Sequence, residues 1–184
     1  MIEEVKIELE EKIIEESEKY KGRIITVKEY RVVLINGKET KREVVHHPGA
    51  VAILPILEDG SLFFVKQYRL PAKKILLEIP AGKLDQGENP EECAYRELEE
   101  EIGYVPGNLR LIHTFYPSPG ISNEILYLFE ATNLRKTKNN PDEDEFLEVI
   151  TLNKEEVKRY LFENRFEDSK TLIGVYYYLY SRGS

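Results

Sequence analysis

Between Gly82 and Tyr104 the chain reads GKLDQGENPEECAYRELEEEIGY, and no other stretch limits the possible fold so tightly. Asn89, Pro90 and Glu92 supply an N-cap, a first-turn proline and the glutamate of a capping box, so a helix starts here. Gly103 ends it, being free to turn left-handed. At about 100° per residue, Ala94, Leu98 and Ile102 form one apolar stripe that must face a core. Glu97 and Glu101 border that stripe one turn apart, and Glu100 lies beside Glu97 on the outer side. Glu92 and Glu99 point to water. Three carboxylates thus converge at a partly desolvated edge beside a glycine loop. Like charges so close raise one another's pKa unless a cation intervenes. Hard oxygen donors favour Mg²⁺ or Mn²⁺ over zinc. An acidic run alone is usually a solvated face; the fixed register of glycine, arginine and glutamates sets this one apart.

The rest of the chain reads as strands and helices around that element. Residues 1–20 are acidic and read as a short helix or an irregular arm. RIITVKEYRVVL and ETKREVVHH flank Asn36-Gly37, a strong hairpin signal, and His46-His47-Pro48-Gly49 marks a joint. AVAILPIL, SLFFVKQYRL and ILLEIPAG follow as strands, the last running into a loop at Pro80. LRLIHTFY and EILYLFEAT come after the helix, joined by PSPGISN, and FLEVITL follows a polar loop. Two helices close the chain, near 154–163 and from Ser169 to Tyr180. Mixed strands with helices on either side indicate an α+β sandwich with a mixed sheet. The chain divides into an N-terminal arm and β-hairpin subdomain (1–48), forming a small antiparallel sheet, and a main domain (49–184).

At 184 residues the chain can bury a substantial core. Its net charge of −8 argues against general binding of nucleic acid. No run approaches the roughly 20 apolar residues of a membrane span, and MIEEVKIELEE lacks the features of a signal peptide. The lone Cys93 excludes an internal disulfide, which makes a cytoplasmic setting the expectation. An acidic protein can still bind an anion where metal ions and a few arginines reverse the sign locally.

The register from Gly82 to Tyr104 resembles the Nudix box, G-x5-E-x7-R-E-U-x-E-E-x-G-U, where U is a bulky aliphatic residue. Gly82, Glu88, Arg96, Glu97, Leu98, Glu100, Glu101 and Gly103 all match, and Tyr104 at the final U departs only at a packing position. The strand pattern of residues 49–184 is similar to a Nudix domain as well. The resemblance implies hydrolysis of a nucleoside diphosphate linked to another moiety. Glu97, Glu100 and Glu101, with the Ala81 carbonyl, would hold the metal, while Gly82, Glu88, Arg96 and Gly103 would be structural. Mg²⁺, with Mn²⁺ a substitute, would polarise phosphate oxygens and activate water for in-line attack.

Outside the box the chain is similar to the ADP-ribose pyrophosphatase branch. Pro119 stands sixteen residues beyond Gly103, and Gln67-Tyr68-Arg69, the run Leu77 to Gly82 and Lys41 to Val45 also match. What this implies is cleavage of ADP-ribose to AMP and ribose 5-phosphate. Arg69 and Arg42 would contact phosphates or ribose, Glu78 and Glu124 would accept ribose hydroxyls, and Pro119 would line the substrate site. Arg23 or Tyr20 could stack on adenine, although packing is the simpler role for both. The branch places its base in a late loop, here PDEDE, so Glu143 is the first candidate and Glu145 the second, with Glu100 a third on the helix. Enzymes of this branch are usually homodimers whose N-terminal sheets reach across to the partner, which suits the large hairpin of residues 22–47.

His46, His47 and His113 lack zinc spacing and read as structural or surface residues. Cys93 reads as packed, and the tyrosines at 176–178 and 180 as packing the last helix onto the body, with an oligomer interface as the alternative for some of them. Two alternatives remain. One keeps the chemistry on another nucleotide sugar, NADH or a dinucleoside polyphosphate; the other is a silent nucleotide sensor, against which stands the complete set of box glutamates.

Overall fold

The computed structural model describes residues 9–137 and 146–181. They form two units, one comprising the chain up to Pro48 with Ser118–Glu124, the other Gly49–Pro117 and the chain from Ile125 onward.

In the first unit, β1 (Lys12–Lys21), β2 (Thr26–Val33) and β3 (Glu39–His46) form an antiparallel sheet in that order. Gly37, at φ 78°, closes the expected hairpin between β2 and β3. Residues 118–124 join this unit because Val45 N–H donates to Ile121 O at 2.8 Å and Asn123 N–H donates to Val45 O at 3.2 Å. His46 is structural, with Nε2 2.8 Å from Tyr30 Oη and Nδ1 3.2 Å from Asn123 Nδ2.

β1 overturns the helix-or-arm reading of residues 12–20. Nearly every residue of β1 is exposed, so burial does not hold it. Ladder bonds to β2 and cross-strand ion pairs do: Lys28–Glu16 at 2.5 Å, Arg31–Glu15 at 2.9 Å and Lys19–Glu29 at 3.2 Å. Opposite charges across a ladder stabilise a strand that composition alone assigns to a helix.

In the second unit, β4 (Ala50–Pro55), β7 (Ala81–Lys83), β9 (Asn108–Phe115) and β10 (Leu126–Thr132) form a mixed sheet of order β7-β4-β10-β9. Its β4–β10 pair is parallel and the others antiparallel. β5 (Leu62–Arg69), β6 (Lys74–Glu78) and β12 (Leu147–Leu152) form an antiparallel sheet of order β12-β5-β6. β8 (Tyr104–Val105) pairs with β11 (Arg135–Lys136). The helices are α1 (Pro90–Ile102), α2 (Lys154–Phe162) and α3 (Ser169–Ser181).

Alternate residues of β4 and β5 enter two separate cores. Val51, Ile53, Phe63 and Val65 pack with Ala94, Leu98 and Ile102 of α1. Leu54, Leu62 and Phe64 pack with Val157 of α2 and Val175 and Tyr178 of α3. Helices on both faces explain why AVAILPIL is continuously apolar instead of alternating. This is the expected α+β sandwich with a mixed sheet. Among the described residues no helix is long and apolar enough to cross a membrane.

The start of α1 differs from expectation in one detail. Asn89 Oδ1 accepts from Glu91 N–H at 2.8 Å, closing on the nearer N2 amide, so no capping box forms with Glu92. The box occurs instead on α2, where Asn153 and Glu156 exchange bonds of 3.0 and 2.9 Å. Gly103, at φ 72°, ends α1 as expected.

Candidate active site

The apolar stripe of α1 draws its acidic border against the loop that follows β6. Glu97 and Glu101 are 9 % and 3 % exposed, so both carboxylates sit in a largely water-free setting. Glu101 Oε2 accepts from Ala81 N–H at 3.2 Å, which ties the helix to the loop. Gly82 lies against Glu97 so closely that a Cβ there would fall inside the carboxylate. Glycine is needed at this position for space, and the register between loop and helix follows from that contact.

Arg96 organises the carboxylates. Its Nε and Nη2 donate to Glu88 Oε1 and Oε2, both at 2.9 Å, and its Nη1 donates to Glu97 Oε1 at 2.7 Å and Glu100 Oε2 at 2.9 Å. Glu88 Oε2 also accepts from Asp85 N–H at 2.9 Å, which pins the loop ahead of the helix. The Arg96 guanidinium holds the Glu88 carboxyl down at about 2, against a smaller effect of burial. Glu88 likewise holds the Arg96 proton more firmly than usual. Burial pushes the Cys93 thiol well above its ordinary range, so the packed role read from sequence fits its surroundings.

The box arginine and glutamates are therefore together on one edge. Among the described residues, no three acidic, histidine or cysteine side chains are gathered closely enough to hold an ion as they stand. The donor chemistry nevertheless fits a hard divalent cation, with Glu97 and Glu101 buried one turn apart and Glu100 adjoining. Arg96 takes one oxygen from each of Glu97 and Glu100.

A second cluster lies at the β5–β6 ladder. Arg69 meets Glu78 through Nε and Nη2, each at 2.8 Å, and Lys170 Nζ reaches Glu78 Oε2 at 2.5 Å. Burial pushes the Glu78 carboxyl up, but Arg69 and Lys170 outweigh it and leave the group below its ordinary value. Glu78 in turn raises Arg69. Glu78 is 1 % exposed with both oxygens engaged, so in this structure it anchors Arg69 and presents no acceptor to solvent. Lys170 and Asp168 escaped the sequence reading; only the adjacency of a lysine and an aspartate to a helix start marks them.

Arg42, Pro119 and Glu124 belong to the first unit. Arg42 pairs with Glu11 at 3.0 and 2.5 Å, and Glu124 Oε1 lies 3.7 Å from His47 Nδ1. Glu143 and Glu145 lie outside the described residues. A cavity of about 600 Å³ opens where Lys66, Leu77 and Ile150 face Tyr160 and Arg165, and among the described residues none of the predicted site residues lines it.

The NUDIX domain model matches residues 45–172. An ADP-ribose pyrophosphatase of Bacillus subtilis (strain 168) is 43 % identical over 171 residues, covering 92 % of each chain. A methanol dehydrogenase activator of Bacillus methanolicus is 44 % identical over 170 residues, 91 % of this chain and 92 % of its own. A GDP-mannose pyrophosphatase of Yersinia enterocolitica serotype O:8 / biotype 1B is 33 % identical over 70 % of this chain and 72 % of its own. A solved structure of an ADP compounds hydrolase superposes with TM-score 0.82 over 95 % of this chain and 96 % of that one, at 22 % identity, a likeness of fold. With its whole box assembled on α1 and the Gly82 loop, the chain belongs to the Nudix hydrolase family.

Proposed function

We propose that this protein hydrolyses the diphosphate of ADP-ribose, with water entering at one phosphorus and AMP and ribose 5-phosphate leaving. The observation that carries the reading is the pairing of a complete, partly buried box with the Arg69–Glu78 fork, in a chain 43 % identical to an ADP-ribose pyrophosphatase. Glu97, Glu100 and Glu101, with the Ala81 carbonyl, would hold Mg²⁺, for which Mn²⁺ is a substitute. When bound, the metal supplies charge neutralisation at the phosphates and a more acidic water. Arg96 holds the carboxylates in register, and Glu88 braces the loop. Arg69 presents a guanidinium to the diphosphate, and Arg42, Pro119 and Glu124 keep the substrate-contact roles that the family resemblance implies. Glu143 takes the proton from water, with Glu145 and then Glu100 as the other candidates; Glu143→Gln should lower kcat far more than it changes KM.

A second reading keeps the chemistry and changes the nucleotide, as the relationship to a GDP-mannose pyrophosphatase favours. The test is product release from ADP-ribose, GDP-mannose, NADH and diadenosine polyphosphate with Mg²⁺, beside Glu101→Gln. Preference for ADP-ribose, lost in the variant, supports the proposal. Preference for another substrate transfers it to the second reading, and no hydrolysis of any would favour a nucleotide sensor. We place the protein in the cytoplasm, as a homodimer joined through the N-terminal sheet. Exposed Ile13, Ile14 and Tyr20 on β1 support such a contact.

A further inference from the structure

Lys170 lies in the first turn of α3 and is 9 % exposed, with its ammonium 2.5 Å from Glu78 Oε2 and 3.0 Å from Asp168 Oδ2. The proposed chemistry gives it no task. Stability is a poor explanation, because a buried ion pair is seldom better than apolar residues of similar volume. Charge offers a better one. Arg69 commits Nε and Nη2 to Glu78, and among the described residues Nη1 is the nitrogen left over for a ligand. Arg69 and Lys170 balance Glu78 and Asp168. Without Lys170, the group would carry a net negative charge beside the arginine that must meet an anion.

The same helix turn also fixes the backbone at the end of β6. Asp168 Oδ2 accepts from Thr171 N–H at 3.0 Å and from Thr171 Oγ1 at 2.7 Å. Thr171 Oγ1 in turn accepts from Ile79 N–H at 3.0 Å. The start of α3 thus grips both the carboxylate that aims Arg69 and the chain entering the Gly82 loop.

We infer that Lys170 is a positioning residue for diphosphate binding: it shares the Glu78 carboxylate, fixes the Arg69 guanidinium and leaves the arginine's charge available to the substrate. The inference rests on the proposed reaction, in which Arg69 meets the diphosphate.

The test is a double-mutant cycle on kcat and KM for ADP-ribose, using Lys170→Met, Arg69→Ala and the double variant. Lys170→Arg serves as the conservative control. Lys170→Met should raise KM about tenfold, the lower end of what losing an outer partner costs a metal ligand, and change kcat by less than about threefold. Lys170→Arg should restore KM. In the Arg69→Ala background, Lys170→Met should add nothing, since it acts through that arginine. Should Lys170→Met not fold, Lys170→Gln replaces it in the cycle. An unchanged KM in the charge-removing variant, or effects that multiply in the double variant, would overturn the inference and leave the proposed function standing. A wild-type protein that neither cleaves ADP-ribose nor binds its α,β-methylene analogue by calorimetry would take both down together.

Discussion

Arg96 gives two bonds to Glu88 and one each to Glu97 and Glu100, so Glu88 depends on it most. The Glu88 carboxyl is lowered from 4.5 to about 2. A depressed carboxylate contributes stability that is complete above its unfolded value and fades as pH falls toward the folded one. Wild-type protein should therefore lose urea resistance between about pH 4.5 and 2, and Glu88→Gln should flatten that limb while lowering stability at neutral pH. An unaltered acid limb in the variant would show that other groups govern it. Gly82→Ala should cost about 1–3 kcal/mol of stability and most of the activity, because the added methyl displaces Glu97. Equilibrium unfolding and product release measure the two effects, and an active, stable variant would refute the contact. Gly82, Arg96 and the glutamates were legible in sequence because one helix and one loop carry them at fixed spacing. Lys170 was not, because it reaches Glu78 across 92 positions and no local pattern joins them.

The helices show the same dependence on local signals. α1 announces itself through Pro90, its apolar stripe and Gly103. Asn153→Ala should lower stability by about 1 kcal/mol with kcat unchanged, since α2 carries no proposed site residue. Urea titration beside an activity assay checks both halves, and a fall in kcat at full occupancy would give α2 a part in the site. β1 was illegible for the converse reason: its glutamates and lysines suit a helix, and only their partners on β2 make them a strand. β7, β8 and β11 span two or three residues each, too few to show a period.

At the scale of the whole molecule, the proposed homodimer should appear at twice the 21.5 kDa chain mass in light scattering. A monomer at assay concentration would end that proposal. The parallel ladder at the centre of the mixed sheet has a kinetic consequence. Ala50 pairs with Leu126, and α1 with five strands of the second unit lies between them in the chain. That ladder cannot zip up from a hairpin; a long intervening stretch must be gathered first, at an entropic cost that grows with loop length. Stopped-flow refolding should accordingly be slow, on the scale of milliseconds to seconds, with the α1 segment regaining protection from exchange before β4 and β10 do.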